Sequence, residues 1–378
     1  MLRILLIALG VVVILAGTVF LFGGDLIRMA LAPQDLSEEV VQGLSLADLP
    51  EDDVEIVAQN LSIPWGVDFL PDGDILLTER AGTLKRIGTN GTSFEIQGVR
   101  HVGEGGLMGV AVHPQFEQNQ WIYLYFTTQV DGGLRNRIER HTLADNTLTE
   151  RTVLLEDIPG GVFHDGGRLA FGPDGYLYAT TGDATMPESA QELDNLSGKI
   201  LRMTDEGTIP PDNPFGTLVY SYGHRNPQGI TWDDAGNLWS TEHGPSGLES
   251  GQDEVNLIES GQNYGWPQSK GNVVEANTVA PFLHSGEDYT WAPASAAYWD
   301  DSIFFGGLRG AALYEVRGIS NGSPELIAHL FTDLGRIRTV QLGPDGWLYL
   351  TTSNTDGRGT RNEGDDLLLR INPSVFRN

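Results

Sequence analysis

Phe69-Leu70-Pro71-Asp72-Gly73-Asp74-Ile75-Leu76-Leu77-Thr78 is the stretch that decides the fold. An apolar residue leads into Pro-Asp-Gly, and an apolar strand-like run follows. Proline presets one turn dihedral and glycine accepts a positive φ, so this turn is chemically specified. The same pattern returns at Phe171-Gly-Pro-Asp-Gly-Tyr-Leu-Tyr-Ala-Thr180 and Leu342-Gly-Pro-Asp-Gly-Trp-Leu-Tyr-Leu-Thr351. Trp232-Asp-Asp-Ala-Gly-Asn-Leu-Trp-Ser-Thr241 is a variant, and Val112-His-Pro-Gln-Phe116 followed by Trp121-Ile-Tyr-Leu-Tyr-Phe126 is a longer one.

Successive copies are 43, 59, 61 and 110 residues apart. The last gap holds about two periods, and Ala297-Tyr-Trp-Asp-Asp-Ser-Ile-Phe-Phe-Gly306 fits as a degenerate copy inside it. Six units of this length match four-stranded propeller blades with variable loops. One unit cannot bury both faces of its own sheet, so the units must stack into a ring. A β-sandwich uses similar strands but leaves the period unexplained. The expected fold is therefore all-β, a six-bladed β-propeller of four-stranded antiparallel blades over residues 54–378. The composition agrees: 48 Gly and 19 Pro are spread over short turn clusters, and 40% hydrophobic residues suffice for a packed core.

The net charge is −28, from 51 acidic and 23 basic residues, and such a surface repels phosphate backbones. Nucleic acid is therefore not an expected partner. The absence of cysteine excludes disulfides, thiolate metal sites and thiol nucleophiles. Ahead of the repeats, Ile4 to Phe22 is an uncharged apolar run of 19 residues preceded by Arg3. It is long enough to nearly span a bilayer with its amino terminus in the cytoplasm. Residues 1–32 thus read as an uncleaved N-terminal membrane anchor. A signal peptide cut after Ala30-Leu31-Ala32 is the competing reading, and both export the rest of the chain to the periplasm or cell envelope. Residues 33–53 form an acidic lead-in without Lys or Arg.

A propeller gathers loops from every blade around one central mouth, so polar loop residues far apart in sequence converge there. His164, in Phe163-His-Asp-Gly-Gly-Arg-Leu169, has a side chain suited to general-base work near neutral pH. Arg225, in Gly223-His-Arg-Asn-Pro-Gln-Gly229, offers a planar fork of donors for carboxylate or quinone oxygens. Glu242-His-Gly-Pro245 can turn two carbonyls toward a hard cation such as calcium. Arg336 and Arg338 alternate along a strand, so their guanidinium groups share a side and suit a bound polycarboxylate, or else salt bridges to neighbouring acids. Arg309 and Glu104 each sit among glycines, where backbone can approach a ligand closely. Taken singly, each of these also fits an ordinary surface or turn role.

Together the motifs resemble the glucose/sorbosone dehydrogenase family, the soluble PQQ-dependent aldose sugar dehydrogenases. The resemblance runs from about Val54 to Asn372 in the family's order. It includes Ile63-Pro-Trp-Gly66, Gly106-Leu-Met-Gly-Val-Ala-Val-His-Pro114, His164-Asp-Gly-Gly-Arg-Leu169, Gly198-Lys-Ile-Leu-Arg202, Gly223-His-Arg-Asn-Pro-Gln-Gly229, Glu242-His-Gly-Pro245 and Asn263-Tyr-Gly-Trp-Pro267.

The resemblance implies oxidation of an aldose at its anomeric carbon to a lactone, with hydride transfer to PQQ and an external electron acceptor. It implies that His164 is the general base and Arg225 lies beside the quinone, with Asn226 an adjacent cofactor contact. Gly244 and Pro245 would hold a catalytic calcium through their carbonyls, while Arg309, Arg336 and Arg338 face the cofactor's carboxylates. Glu254 and Tyr264 would lie near a second calcium. Two departures stand out. Glu104 replaces the usual Gln, placing a carboxylate beside an anionic cofactor. Phe163 replaces an Asp found in some members, which leaves His164 short of that hydrogen-bond partner. A calcium-dependent lactonase and a non-catalytic binding propeller are the rival readings, and the chain can be a monomer or a dimer in any of them.

Overall fold

The computed structural model describes residues 36–89, 91–246 and 250–377. They form six sheets. Blade 1 holds strands Pro64–Phe69, Ile75–Glu79, Thr83–Ile87 and Thr92–Glu95. Blade 2 holds Leu107–Val112, Trp121–Val130, Gly133–Ala144 and Thr147–Pro159. Blade 3 holds Leu169–Phe171, Leu177–Thr181, Lys199–Met203 and Val219–Tyr222. Blade 4 holds Pro227–Trp232, Leu238–Glu242, Glu254–Ile258 and Leu283–His284. Blade 5 holds Pro293–Trp299, Ser302–Gly307, Leu313–Arg317 and Glu325–His329. Blade 6 holds Ile337–Leu342, Leu348–Thr352 and Leu368–Ile371, and its outermost strand is Val54–Ala58 from the start of the domain. The ring is thus closed by pairing its two ends within one sheet, which leaves no unsatisfied seam between first and last blade.

Every repeat seen in the sequence is the turn between the first and second strands of a blade. Gly73, Gly175 and Gly346 carry φ of 88°, 79° and 81°, which explains the glycine. The turn aspartate also ties its blade together. Asp174 Oδ2 accepts hydrogen bonds from Tyr178 Oη (2.9 Å) and Arg202 Nε (2.9 Å), one strand and two strands away. Asp345 repeats this with Tyr349 (2.9 Å) and Arg370 (2.8 Å). Apolar residues from facing sheets fill the wedges between blades. Leu107, Leu124 and Phe126 of blade 2, for example, pack on Leu76 and Leu84 of blade 1.

Blade 5 gains a short fifth strand, Val41–Gln42, which pairs in parallel with Ile327–Ala328. The acidic lead-in is held there by Leu44 N–H to His329 Nδ1 (3.2 Å) and Leu46 N–H to Asp333 (2.6 Å). The apolar segment Ile4–Phe22, expected to be an anchor, lies outside the described residues. Among the described residues no helix is long and apolar enough to cross a membrane.

Candidate active site

The first strand of each blade starts, and the second ends, at one face of the ring. Their loops surround a cleft of about 650 Å³. Glu104 precedes blade 2, His164 precedes blade 3 and Arg225 precedes blade 4. Arg309 follows the second strand of blade 5, and Arg336 and Arg338 open blade 6. All six line the cleft, together with Gly244 and Pro245. Asn226, Glu254 and Tyr264 do not line it. Asn226 is fully buried, with Oδ1 accepting Gly166 N–H (3.1 Å). Glu254 and Tyr264 meet behind the Gly244–Pro245 turn, on a separate cavity of about 10 Å³.

His164 has φ of 63°, an uncommon backbone for a residue with a Cβ and one that persists only where its surroundings impose it. Here Asp165 supplies the constraint. Its Oδ1 accepts Gly161 N–H (2.9 Å) and Asn136 Nδ2 (2.9 Å), and its carbonyl accepts Tyr125 Oη (3.0 Å). Gly166 must lack a Cβ, which would lie 2.6 Å from Thr180 O. The imidazole is then fixed by Asp183, whose Oδ1 lies 2.8 Å from His164 Nδ1. Asp183 also accepts Thr185 N–H (2.8 Å) and Trp266 Nε1–H (2.9 Å). With Nδ1 donating to a carboxylate, Nε2 is the nitrogen left to accept a proton.

The departure at Phe163 therefore does not leave His164 without a partner, because Asp183 fills that role from the end of a blade 3 strand. An acid just past a strand that ends at the mouth was the available signal, and the sequence reading passed over it. Glu104 is likewise compensated. Arg358 Nη1 donates to its Oε1 (2.7 Å), and its Oε2 accepts His164 N–H (3.2 Å). Burial alone would raise the Glu104 carboxyl, but the Arg358 charge and hydrogen bond outweigh it and hold it at about 2. Arg358 lies between Gly357 and Gly359, the same glycine-flanked setting that singled out Arg309.

The salt-bridge reading of the Arg336–Arg338 pair holds, and both residues also line the cleft. The two side chains face the cleft, and both approach Asp356 Oδ2, at 2.8 and 3.9 Å. Arg338 also donates to Gln228 Oε1 (3.2 Å). Burial and the neighbouring Arg80 lower Arg338 to about 9, so it stays charged at neutral pH. Arg225 is held by His243 O (3.4 Å) and Ser246 Oγ (3.1 Å), with its backbone N–H on Glu242.

The turn at Gly244 is fixed by Asp253, which accepts Gly244 N–H (2.8 Å) through one oxygen. The other oxygen accepts Thr290 Oγ1 (2.7 Å), Trp291 N–H (2.6 Å) and Ala292 N–H (2.8 Å). A Cβ at Gly244 would lie 2.2 Å from Gly251 O. Among the described residues, the carbonyls of Gly244 and Pro245 accept no hydrogen bond. Nor do three His, Asp or Glu side chains converge there on one metal-sized point. Those two carbonyls are oxygen acceptors of the kind a hard cation takes. Behind the turn, burial and the adjacent Glu242 push the Glu254 carboxyl well above the usual carboxylate range, while Tyr264 Oη donates to Leu257 O (2.6 Å).

Among the described residues, the buried polar atoms without a partner in and under the cleft include Arg309 Nε, His243 Nε2, Asn226 Nδ2 and Asp165 Oδ2. Burial lowers His243 to about 3, so its ring is neutral. An orphaned buried donor costs about 1–3 kcal/mol. Arg309 Nε is such a donor, and beside Arg336 and Arg338 it gives the cleft cationic N–H groups that suit an oxygen-rich anion.

A propeller carrying an oriented histidine–carboxylate pair beside such a pocket has the layout for proton transfer next to a bound organic anion. The chain belongs to the glucose/sorbosone dehydrogenase family, whose model, described as Glucose / Sorbosone dehydrogenase, matches residues 61–369. The aldose sugar dehydrogenase YliI of Escherichia coli is 34% identical over 361 residues, 85% of this chain and 92% of that protein. Quinoprotein glucose dehydrogenase B of Acinetobacter calcoaceticus is 35% identical over 257 residues, 58% of this chain and 53% of that one. The PQQ-bound aldose sugar dehydrogenase of Streptomyces coelicolor superposes with a TM-score of 0.77 at 39% identity, covering 84% of this chain and 97% of that one.

Proposed function

We propose that this protein oxidises aldose sugars at the anomeric carbon to lactones, using PQQ and calcium. The observation that carries the reading is the cleft itself. His164, oriented by Asp183, faces cationic side chains and an unpartnered donor that suit a tricarboxylate quinone. Arg309, Arg336 and Arg338 would hold the cofactor's carboxylates, with the neutral ring of His243 beside its oxygens. The carbonyls of Gly244 and Pro245 would hold the calcium, a hard cation that takes oxygen ligands. When bound, the quinone supplies the two-electron acceptor for a hydride, and the calcium supplies Lewis-acid polarisation.

The chain's own residues do the rest. His164 Nε2 takes the proton from the anomeric hydroxyl as the C1 hydride departs, leaving a C1=O bond and hence the lactone. Asp183 holds the tautomer that makes this possible and stabilises the imidazolium that forms. Arg225 lines the cleft and would offer positive charge to the quinone oxygen on which negative charge grows. Glu254, beside Glu242 and the unpartnered Gln252 Oε1, would take a second, structural calcium together with Tyr264. The N-terminal segment would place the domain outside the cytoplasm, where an external acceptor can reach it.

The test is titration of the purified apoprotein with PQQ, with and without calcium, followed by absorbance, then assay of aldoses with a dye acceptor. Saturable PQQ binding and calcium-dependent dye reduction are expected, with activity lost on chelation and restored by calcium. No PQQ binding, or full activity in metal shown to be calcium-free, overturns the assignment.

A further inference from the structure

The wall of the cleft beside His164 is built from Phe163, Glu104 and Arg358, and none of them has a place in the proton transfer. Phe163 is 42% exposed although it is a large apolar side chain next to the base. Its ring centre lies 6.5 Å from that of His164 and 5.7 Å from the Arg358 guanidinium carbon. Glu104 joins the other two. One oxygen pairs with Arg358 and the other holds the His164 backbone. The Arg358 side chain stays 37% exposed and that of Glu104 20%, so the pair borders open cleft. Arg358 comes from blade 6 and Glu104 from the loop entering blade 2, so the pair bridges loops on either side of blade 1.

Arg336, Arg338 and Arg225 are deeper in the cleft and already committed to acceptors on the protein. Arg358 commits one guanidinium nitrogen to Glu104, while its side chain lines the cleft and stays 37% exposed. The pair is thus formally neutral: Glu104, at about 2, is ionised at all working pH values and cancels the Arg358 charge.

We propose that Phe163, Arg358 and Glu104 form the sugar-binding wall and select neutral pyranoses over acidic ones. This rests on the sugar dehydrogenase reading above. The exposed ring takes the apolar C–H face of a pyranose whose anomeric hydroxyl reaches His164. Arg358 donates to ring hydroxyls. Glu104 denies a sugar carboxylate the net positive charge it needs. Exclusion of uronic acids is then a property of the ion pair, and breaking the pair from the acidic side reverses it.

The experiment measures equilibrium binding of D-glucose and D-glucuronate by calorimetry or ligand-observed NMR. The full protein is loaded with calcium and pre-reduced PQQ, which fills the arginine-lined part of the cleft and supplies no oxidant for turnover. Steady-state assays of the PQQ- and calcium-loaded enzyme follow. Glu104→Gln should raise glucuronate affinity relative to glucose about tenfold, because a charge-assisted hydrogen bond becomes available to the carboxylate. The Glu104→Gln/Arg358→Met double variant should lose that gain. Phe163→Ala, a change at an exposed side chain that leaves the core intact, should weaken both sugars about threefold to tenfold and keep their ratio. An unchanged ratio in Glu104→Gln, a gain that survives removal of Arg358, or unaltered sugar affinity in Phe163→Ala overturns the proposal. So does a wild-type protein that binds neither sugar. A loaded wild type that binds glucose but turns over no aldose refutes the dehydrogenase reading while leaving the binding ratios to judge the wall.

Discussion

Replacing Asp183 by asparagine is the sharpest probe of the proposed chemistry. The carboxylate makes three hydrogen bonds: His164 Nδ1 and Thr185 N–H on one oxygen, Trp266 Nε1–H on the other. All three partners donate, so a residue with one acceptor and one donor cannot satisfy them all. If the amide NH2 faces His164, it forces Nδ1 to accept and puts the proton on Nε2, which can then no longer act as base. The full contribution of a positioned base, about two to four orders of magnitude, is lost. If the NH2 faces Trp266 instead, the tautomer survives. The imidazolium still loses a charge-assisted bond of about 1.5–3 kcal/mol, roughly ten- to a hundredfold in rate. Asp183→Asn should therefore lower kcat by about tenfold at the least, and by about two to four orders of magnitude if the amide NH2 faces His164. PQQ affinity should hold, because Asp183 does not line the cleft. The assay is steady-state dye reduction at saturating PQQ, calcium and sugar, alongside PQQ titration by absorbance. An Asp183→Asn enzyme within threefold of wild type would refute the view that this carboxylate orients the base.

His164→Gln should keep PQQ binding and lose about two to four orders of magnitude in turnover, since an amide is not basic near neutral pH. Replacing Arg336 and Arg338 together by alanine should show the reverse, with weakened PQQ binding in titration before any loss of kcat at saturation. Trp266→Phe deletes one hydrogen bond to Asp183 and should cost about three- to tenfold in kcat, with the thermal midpoint nearly unchanged. Asp68, in the first strand of blade 1, accepts Val112 N–H (2.6 Å) and is pushed by burial from 3.8 up to about 6. The folded state therefore binds its proton more tightly than the unfolded chain. That stabilisation is full below pH 4 and lost as pH rises through 6. Denaturant titrations should show wild type losing on the order of 1–3 kcal/mol relative to Asp68→Asn between pH 4 and 7, and parallel curves for the two proteins would contradict it.

Much of the architecture is local chemistry repeated, and that is why it is legible in the sequence. Pro-Asp-Gly sets a turn wherever it occurs, the following residues carry strand patterning, and a period of this length can bury its faces only in a ring. The six quoted turns each join the first two strands of a blade. The polar residues next to those strands, His164, Arg225, Arg309, Arg336 and Arg338, then fall at one mouth because every blade is built in the same sense.

The strand that closes the ring, Val54–Ala58 beside Leu368–Ile371, joins chain ends more than three hundred residues apart, and no periodicity marks it. The pairings that tune the site are of the same kind. Glu104 looked like a misplaced carboxylate until folding brought Arg358 from blade 6 to within 2.7 Å. His164 looked short of a partner until the end of a blade 3 strand supplied Asp183. Turn and strand chemistry act over a few residues, so sequence alone determined the blades and which face holds the site. Charge compensation and imidazole orientation act through space between loops of different blades, so only the closed ring decided which acid answers which base.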